Sequence, residues 1–219
     1  SADTSSIYTT DVSGTDDTAS GNSAYGYQAL DAITTGDNNV AIGLSALGAN
    51  TTGANNVAVG SIAFDANTTG GQNVAIGYTA MGAQTTASNN VAVGNQALQT
   101  NQTGTELVAV GHEALKANLG DACVAVGFQA LLANTTGASN IAIGSTALAA
   151  NTTGSRNIGI GSNANDSSDT ENDNIAIGYN AMTTDSAGGL QNLAIGNYAL
   201  QALTSGDGNM ALGHNAGYT

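Results

Sequence analysis

Basic residues, cysteine, proline and tryptophan are scarce or missing in this chain of 219 residues. It has two Lys+Arg against 16 Asp+Glu, a formal net charge of -14 at pH 7, and neither proline nor tryptophan. Nucleic-acid binding needs clustered Lys and Arg that displace counterions, so this function is excluded, and anionic membrane surfaces are disfavoured for the same reason. The single cysteine, Cys123, excludes an intrachain disulfide and a cysteine-built metal site. No run of 18 apolar residues is present, so we expect no membrane insertion by this segment.

What the chain does contain is a repeat of about 17 residues, marked by tetrapeptides such as Val-Ala-Ile-Gly. The closing glycines are Gly26, Gly43, Gly60, Gly77, Gly94, Gly111, Gly127, Gly144, Gly161, Gly178, Gly196 and Gly213. Neighbouring glycines are 17 residues apart, with one step of 16 and one of 18. We therefore predict a polar cap or linker over 1–20 and a single repeat domain over 21–219. Positions within a repeat are counted below from its glycine.

The residues before each glycine predict one short β-strand per repeat. Positions -3 and -1 are mostly Val, Ile or Leu, as in Val57 and Val59, and position -2 is Ala except at Gly159. β-Branched residues separated by one residue suit a strand, and a helix would not tolerate a glycine in every unit. The alanine at +3, such as Ala63, predicts a second short strand or an extended corner. A 17-residue unit suits one coil of a parallel β-solenoid, so we predict an all-β solenoid of about twelve coils.

The alanines at position -2 suggest a contact between chains. If the flanking Val and Ile side chains fill the interior, the alanine side chains point outward. A small outward residue in nearly every coil indicates that another copy of the chain approaches closely, although a flat face without a partner is also compatible with it. The predicted interface residues are Ala41, Ala58, Ala75, Ala92, Ala109, Ala125, Ala142, Ala176 and Ala194.

Asparagine recurs at position -4 and predicts a ladder of side-chain amides that hydrogen-bond from coil to coil. Its members are Asn39, Asn56, Asn73, Asn90, Asn140, Asn157, Asn174, Asn192 and Asn209. Leu107 and Cys123 replace asparagine in two successive repeats, which predicts that the apolar residues pair and that Cys123 is a buried structural residue.

The unit Asn-Asn-Val-Ala-Ile-Gly-x-x-Ala-Leu at residues 38–47 resembles the head repeats of YadA-like trimeric autotransporter adhesins. It is equally similar to the Asn-Thr-Thr-Gly-linked repeats of phage tail fibres. The resemblance implies a left-handed β-roll that forms a homotrimer, located outside the cell on a bacterial surface or in a virion fibre. The adhesin repeat is shorter, and the extra residues here lie in the Asn-Thr-Thr-Gly turn.

On this resemblance we expect a structural or adhesive fibre segment that mediates or spaces attachment to a host or prey cell. Its receptor would be a surface glycan or protein. The alternative is a phage tail-fibre shaft whose receptor is bound elsewhere. Exposed aromatic residues offer contact area at low entropic cost, so candidate ligand-binding residues are Tyr78, Phe128, Tyr179 and Tyr198.

The sequence offers little for metal binding or catalysis. The acidic segment 165–174 has four side chains that could hold calcium, although a solvated loop explains it equally; they are Asp166, Asp169, Glu171 and Asp173. His112 and His214 are six repeats apart and cannot share a metal or a proton. Because no nucleophile and base recur at a compatible spacing, we expect neither an enzyme nor a cofactor.

An ice-binding solenoid is a further alternative. Threonine pairs recur at 34/35, 51/52, 68/69 and 85/86. Adjacent threonines in extended backbone face opposite ways, so they do not form a flat array on one face. The ladder is also interrupted at Gln102, Leu119 and Asp169.

Overall fold

The computed structural model describes residues 7–8, 19–167, 169–184 and 189–217. The chain is an all-β parallel β-solenoid of about eleven turns with 17 residues per coil. This confirms the predicted all-β parallel solenoid and its period, with about eleven turns where about twelve coils were predicted. No helix occurs among the described residues, and hence none that could cross a membrane. Of the cap predicted over 1–20, only the strand at 7–8 and residues 19–20 fall within the described residues.

The chain divides into two compact units, Ser1–Leu107 and Val108–Thr219. In the first unit, β1 pairs antiparallel with β2, and β2 to β6 pair in parallel with like residue beside like residue. The strands are β1 (Ile7–Tyr8), β2 (Ser23–Tyr25), β3 (Val40–Ile42), β4 (Val57–Val59), β5 (Val74–Ile76) and β6 (Val91–Val93).

In the second unit, seven parallel strands pair in the same way. The strands are β7 (Val108–Val110), β8 (Val124–Val126), β9 (Ile141–Ile143), β10 (Ile158–Ile160), β11 (Ile175–Ile177), β12 (Leu193–Ile195) and β13 (Met210–Leu212). The unit begins at the 16-residue step of the repeat, and the in-register pairing continues across the 18-residue step between β11 and β12.

The glycine that closes each strand is required by its backbone and by its neighbour. Gly60 has φ +139°, and a Cβ atom there would lie 2.5 Å from the carbonyl oxygen of Gly77 in the next coil. An L-residue is strained at this φ, and the overlap would push the stacked coils apart. The recurrent glycine therefore permits the close stacking of the coils.

After the glycine the chain forms successive tight turns, so the second strand expected around +3 is wrong. The Ala63 amide donates to the Gly60 carbonyl at 3.3 Å, and the Asn67 amide donates to the Phe64 carbonyl at 3.3 Å. Left-handed backbone recurs at +2 and +4, as in Ile62 with φ 56° and Phe64 with φ 52°. Stacking overrides the local cost of this conformation for bulky residues.

In most coils the interior is filled by the alanines at -2 and +3 and the large residue at +4. Ala58, Ala63 and Phe64 are fully buried, whereas Val57 and Val59 on either side of Ala58 are partly exposed. The orientation predicted for the strand was therefore wrong: alanine faces inward, and valine and isoleucine face outward.

The coil is thin, and this explains the alanine. At Gly159, a Cβ atom would already lie 3.1 Å from Leu148 Cγ and 2.9 Å from the Ala164 carbonyl. A side chain larger than alanine has no room at this position. The alanines predicted as the interface are all 0% exposed in the single chain, so they cannot contact another copy and the predicted interface is wrong. They are Ala41, Ala58, Ala75, Ala92, Ala109, Ala125, Ala142, Ala176 and Ala194.

Candidate functional site

The outward residues at -3 and -1 of strands β3 to β12 form an apolar stripe on each unit. In the first unit the apolar stripe is Val40, Ile42, Val57, Val59, Val74, Ile76, Val91 and Val93. In the second it is Val108, Val110, Val124, Val126, Ile141, Ile143, Ile158, Ile160, Ile175, Ile177, Leu193 and Ile195. All are apolar and none is charged.

The apolar stripe is substantially open to solvent in a single chain. Ile42, Ile76 and Ile143 are 42%, 38% and 40% exposed. At roughly 50 Å² per side chain, the first unit alone presents on the order of 400 Å², a size at which apolar patches commonly mark an interaction surface. Sequence reasoning missed this surface because it placed these residues in the core.

The asparagines at position -4 hold neighbouring coils together from inside. Asn56 Oδ1 accepts the backbone N–H of Asn73 at 3.0 Å, and Asn56 Nδ2 donates to the Gly70 carbonyl at 2.9 Å. The same Oδ1-to-backbone bond joins Asn157 to Asn174 at 3.0 Å. Apart from the partly buried Asn209, these side chains are buried, and they are hydrogen-bonded within the chain, so they act as scaffold.

A second buried amide column lies at position +7, which sequence reasoning had treated only as turn chemistry. In the first unit, Asn67 Nδ2 donates to Asn50 Oδ1 at 2.8 Å, and Asn67 Oδ1 accepts the Gly70 amide at 3.0 Å. In the second, Asn151 Nδ2 donates to Asn134 Oδ1 at 2.7 Å. The signal was present, because asparagine begins each Asn-Thr-Thr-Gly segment at the same place in the repeat.

Leu107 and Cys123 are each fully buried where other coils have asparagine. The Cys123 thiol lies 3.4 Å from the Gly137 carbonyl, and burial raises its pKa. A buried thiol with a raised pKa is a poor nucleophile. These surroundings agree with the prediction that Cys123 is a buried structural residue.

The four candidate ligand residues do not form one site. Tyr179 and Tyr198 pack edge to face with centroids 5.4 Å apart, and Tyr198 packs in the same way on His214 at 5.8 Å. Phe128 stacks instead on His112, with centroids 5.5 Å apart and planes inclined by 14°. Tyr78 is 50% exposed and has no ring partner in the described part of the chain.

The four acidic residues considered for calcium lie in different environments and do not converge on one site. Asp173 accepts from Arg156 at 2.6 and 2.8 Å, and the hydrogen bonds from this guanidinium lower its pKa. Burial raises the pKa of Asp166, Asp169 is exposed, and Glu171 is buried. Within the described ranges, no group of three or more His, Cys, Asp or Glu side chains could hold a metal ion.

The second cation of the chain is also paired. Lys116 Nζ donates to Glu113 at 2.6 Å, and Gln129 Nε2 donates to the same carboxylate at 2.8 Å. These two hydrogen bonds, that of Lys116 first, lower the pKa of Glu113. Both basic side chains are therefore engaged by carboxylates of their own chain, which leaves the surface dominated by negative charge.

The threonine pairs do not present two free hydroxyls per coil. Thr51 Oγ1 donates to the Thr68 carbonyl at 2.9 Å, and Thr135 Oγ1 donates to the Thr152 carbonyl at 2.8 Å. The first hydroxyl of each of these pairs is thus hydrogen-bonded within the chain, whereas the second threonine, such as Thr52, is exposed.

Comparison of the chain with protein-family models, with curated proteins and with solved structures finds no match in any of the three.

Proposed function

We propose that the chain is a structural and adhesive segment of an extracellular trimeric fibre. In this proposal it mediates or spaces attachment to a host or prey cell surface. The observation that supports the proposal most is the apolar stripe, because it is a continuous surface repeated at the period of the coils. A repeat surface of this kind is suited to meeting another copy of itself along its length.

The composition of the apolar stripe favours a second copy of the chain as its partner. A chain of net charge -14 repels its copies, but the apolar stripe contains no charged residue, so identical surfaces can meet there. At roughly 50 Å² per side chain, the apolar stripe exposes on the order of 400 Å² on the first unit and 600 Å² on the second, against the roughly 800 Å² that each partner buries in a standard interface. Burial of this surface would add to the small core of each coil.

The number of three copies, the left-handed roll and the extracellular location rest on the resemblance to adhesin heads and tail fibres. The alternative is a tail-fibre shaft whose receptor is bound elsewhere. Under this alternative, the segment itself has no receptor site. Binding to immobilised cells distinguishes the two, since a pure shaft trimerises without binding.

The solution mass tests the proposal. We expect light scattering to give three times the chain mass of 21.4 kDa. Ile42→Asp places a charge in the apolar stripe at a position that is 42% exposed in the single chain, so it should leave the coil folded but dissociate the copies. Asn95→Asp, at exposed position +1, is the matched control and should keep the wild-type mass. A monomeric wild-type chain, or an unchanged mass for Ile42→Asp, would refute the proposal.

A further inference from the structure

Position +1 of the second unit carries two aromatic clusters separated by two coils with short side chains. Phe128, Ser145, Ser162 and Tyr179 occupy this position in four successive coils. We call this set the aromatic gap. Backbone bonds stack these coils directly: the Thr146 amide donates to the Phe128 carbonyl at 2.8 Å, and the equivalent bonds accepted by Ser145 and Ser162 are 2.9 and 3.1 Å.

The two ends of the aromatic gap are open aromatic rings. Phe128 is 50% exposed and Tyr179 is 44% exposed. One face of Phe128 is covered by His112, so its other face is directed toward the coil of Ser145. Tyr179 is held from its far side by the edge-to-face contact with Tyr198. At about 4.8 Å per coil, the two rings are separated by about 14 Å.

The lining of the aromatic gap is polar but neutral. Alongside the two serines, a hydrogen-bonded row runs through Thr146, Asn163 and Asn180, with Asn163 Nδ2 donating to Asn180 Oδ1 at 2.9 Å. Hydroxyl and amide groups donate and accept, and so can match ligand hydroxyls. Both cations of the chain, Lys116 and Arg156, are in ion pairs, and the chain is strongly negative, which disfavours acidic ligands.

We propose that the aromatic gap binds a neutral oligosaccharide whose end sugars pack on the two rings. The C–H face of a pyranose carries positive partial charge and packs on the negative face of an aromatic ring. The separation of about 14 Å, or three coil spacings, leaves room between the rings for more than a single sugar. Sugar hydroxyls then exchange hydrogen bonds with the serine hydroxyls and the amides beside them. This inference rests on the adhesive role within the proposed function.

The probes are maltohexaose, cellohexaose and chitohexaose, with their monosaccharides and with sialylated and sulphated oligosaccharides for comparison. Because the chain has no tryptophan, tyrosine emission and saturation-transfer NMR report binding directly. We expect at least one neutral hexasaccharide to bind at least tenfold more tightly than its monosaccharide and than the acidic probes. Binding of none of the three hexasaccharides, or a preference for the acidic probes, would overturn the proposal.

Two variants and one control locate the site. Tyr179→Ala removes one aromatic end, and Ser145→Leu fills the gap; leucine is accepted at the equivalent Leu44, so the coil should remain folded. Each should weaken binding at least fivefold. Tyr78→Ala is the control: Tyr78 is 50% exposed at the same repeat position and Tyr27 lies three coils away, but Leu44 fills the space between them, so affinity should change less than twofold. Equal effects of Tyr78→Ala and Tyr179→Ala would overturn the assignment.

The two proposals fail separately. If the chain is trimeric but binds none of the oligosaccharides, the fibre proposal is retained and the glycan proposal is wrong. If Tyr179→Ala lowers the solution mass, the aromatic gap belongs to the contact between chains and the glycan proposal is wrong. A monomer that binds a neutral oligosaccharide would retain the glycan site and refute the trimeric fibre.

Discussion

The coil that contains Asn165 should be the weak point of the second unit, and replacing Asn165 by leucine should strengthen it. Asn165 is fully buried at position +4, where the other described coils have Leu, Met or Phe except for Gly217 in the last. The backbone bonds from Leu148 to Ala164 and from Asn165 to Ala181 stack it between coils that carry Leu148 and Met182 at this position. Neither its Nδ2 nor its Oδ1 has a hydrogen-bond partner among the residues that the structure describes.

The magnitude of this effect follows from three contributions. An unpaired buried amide costs about 1–3 kcal/mol, and this cost disappears in Asn165→Leu. Burying the leucine side chain adds roughly 1–2 kcal/mol. Asn165 has φ 51°, a left-handed conformation that asparagine tolerates better than leucine, which returns up to about 1 kcal/mol. We therefore expect Asn165→Leu to stabilise the fold by about 2 kcal/mol.

Guanidinium unfolding followed by circular dichroism, at equal protein concentration, measures the change. The reverse substitution, Leu148→Asn, is the matched control and should lower the midpoint, because it creates a second unpaired amide in the same column. Amide hydrogen exchange around Asn165 should slow in Asn165→Leu. If the midpoint of Asn165→Leu is unchanged or lower, the reasoning about the unsatisfied amide is refuted.

Three further predictions concern the scaffold of the first unit. Gly77→Ala should destabilise by about 3 kcal/mol or more in chemical denaturation, since its Cβ would lie 2.3 Å from a carbonyl oxygen of the next coil at φ +135°. Gly82→Ala, whose nearest contact would be 3.3 Å, should change the midpoint little; equal effects would contradict the stacking argument. Asn56→Ala should lower the free energy of unfolding by about 3 kcal/mol or more, because it leaves buried backbone groups unpaired. The same change at exposed Asn95 should lower it by under about 1 kcal/mol. A larger loss at Asn95 would contradict the scaffold role of the asparagine ladder. Burial raises the pKa of Asp65 above its ordinary value of 3.8, so its charge opposes folding at neutral pH, and Asp65→Asn should raise the melting temperature at pH 7. The difference in melting temperature between Asp65→Asn and the wild type should vanish once the pH falls below 3.8. A difference that grows toward low pH would contradict this prediction.

The period and the parallel stacking could be predicted from the sequence because both are properties of the repeat itself. Glycine in every unit and asparagine in register, as at Gly60 and Asn56, have few explanations other than coils in contact. The turns after the glycine could not be predicted in this way. Ile62 and Phe64 adopt left-handed backbone that their own preferences oppose, and only the contacts of stacked coils impose it.

The candidate site was misassigned because alternation alone does not say which side of a strand faces inward. In Val57-Ala58-Val59 both sets are apolar, so hydrophobicity supports either orientation. The available space decides: at the equivalent Gly159 a Cβ atom would already lie 3.1 Å from Leu148 Cγ, so the interior has no room for a valine side chain. The valines then form the outer surface, and they, not the alanines, are the candidate contact between copies of the chain.

The central claim is that alanine faces inward and its strand neighbours face outward, and one comparison tests it most directly. The thermal unfolding of Ala75→Asp and of Ile76→Asp is followed by circular dichroism. Ala75 is 0% exposed and Ile76 is 38% exposed. Ala75→Asp buries an unpaired carboxylate and should lose the β-sheet signal or melt far below the wild type, while Ile76→Asp keeps the β-sheet signal. A greater loss in Ile76→Asp than in Ala75→Asp would contradict the account.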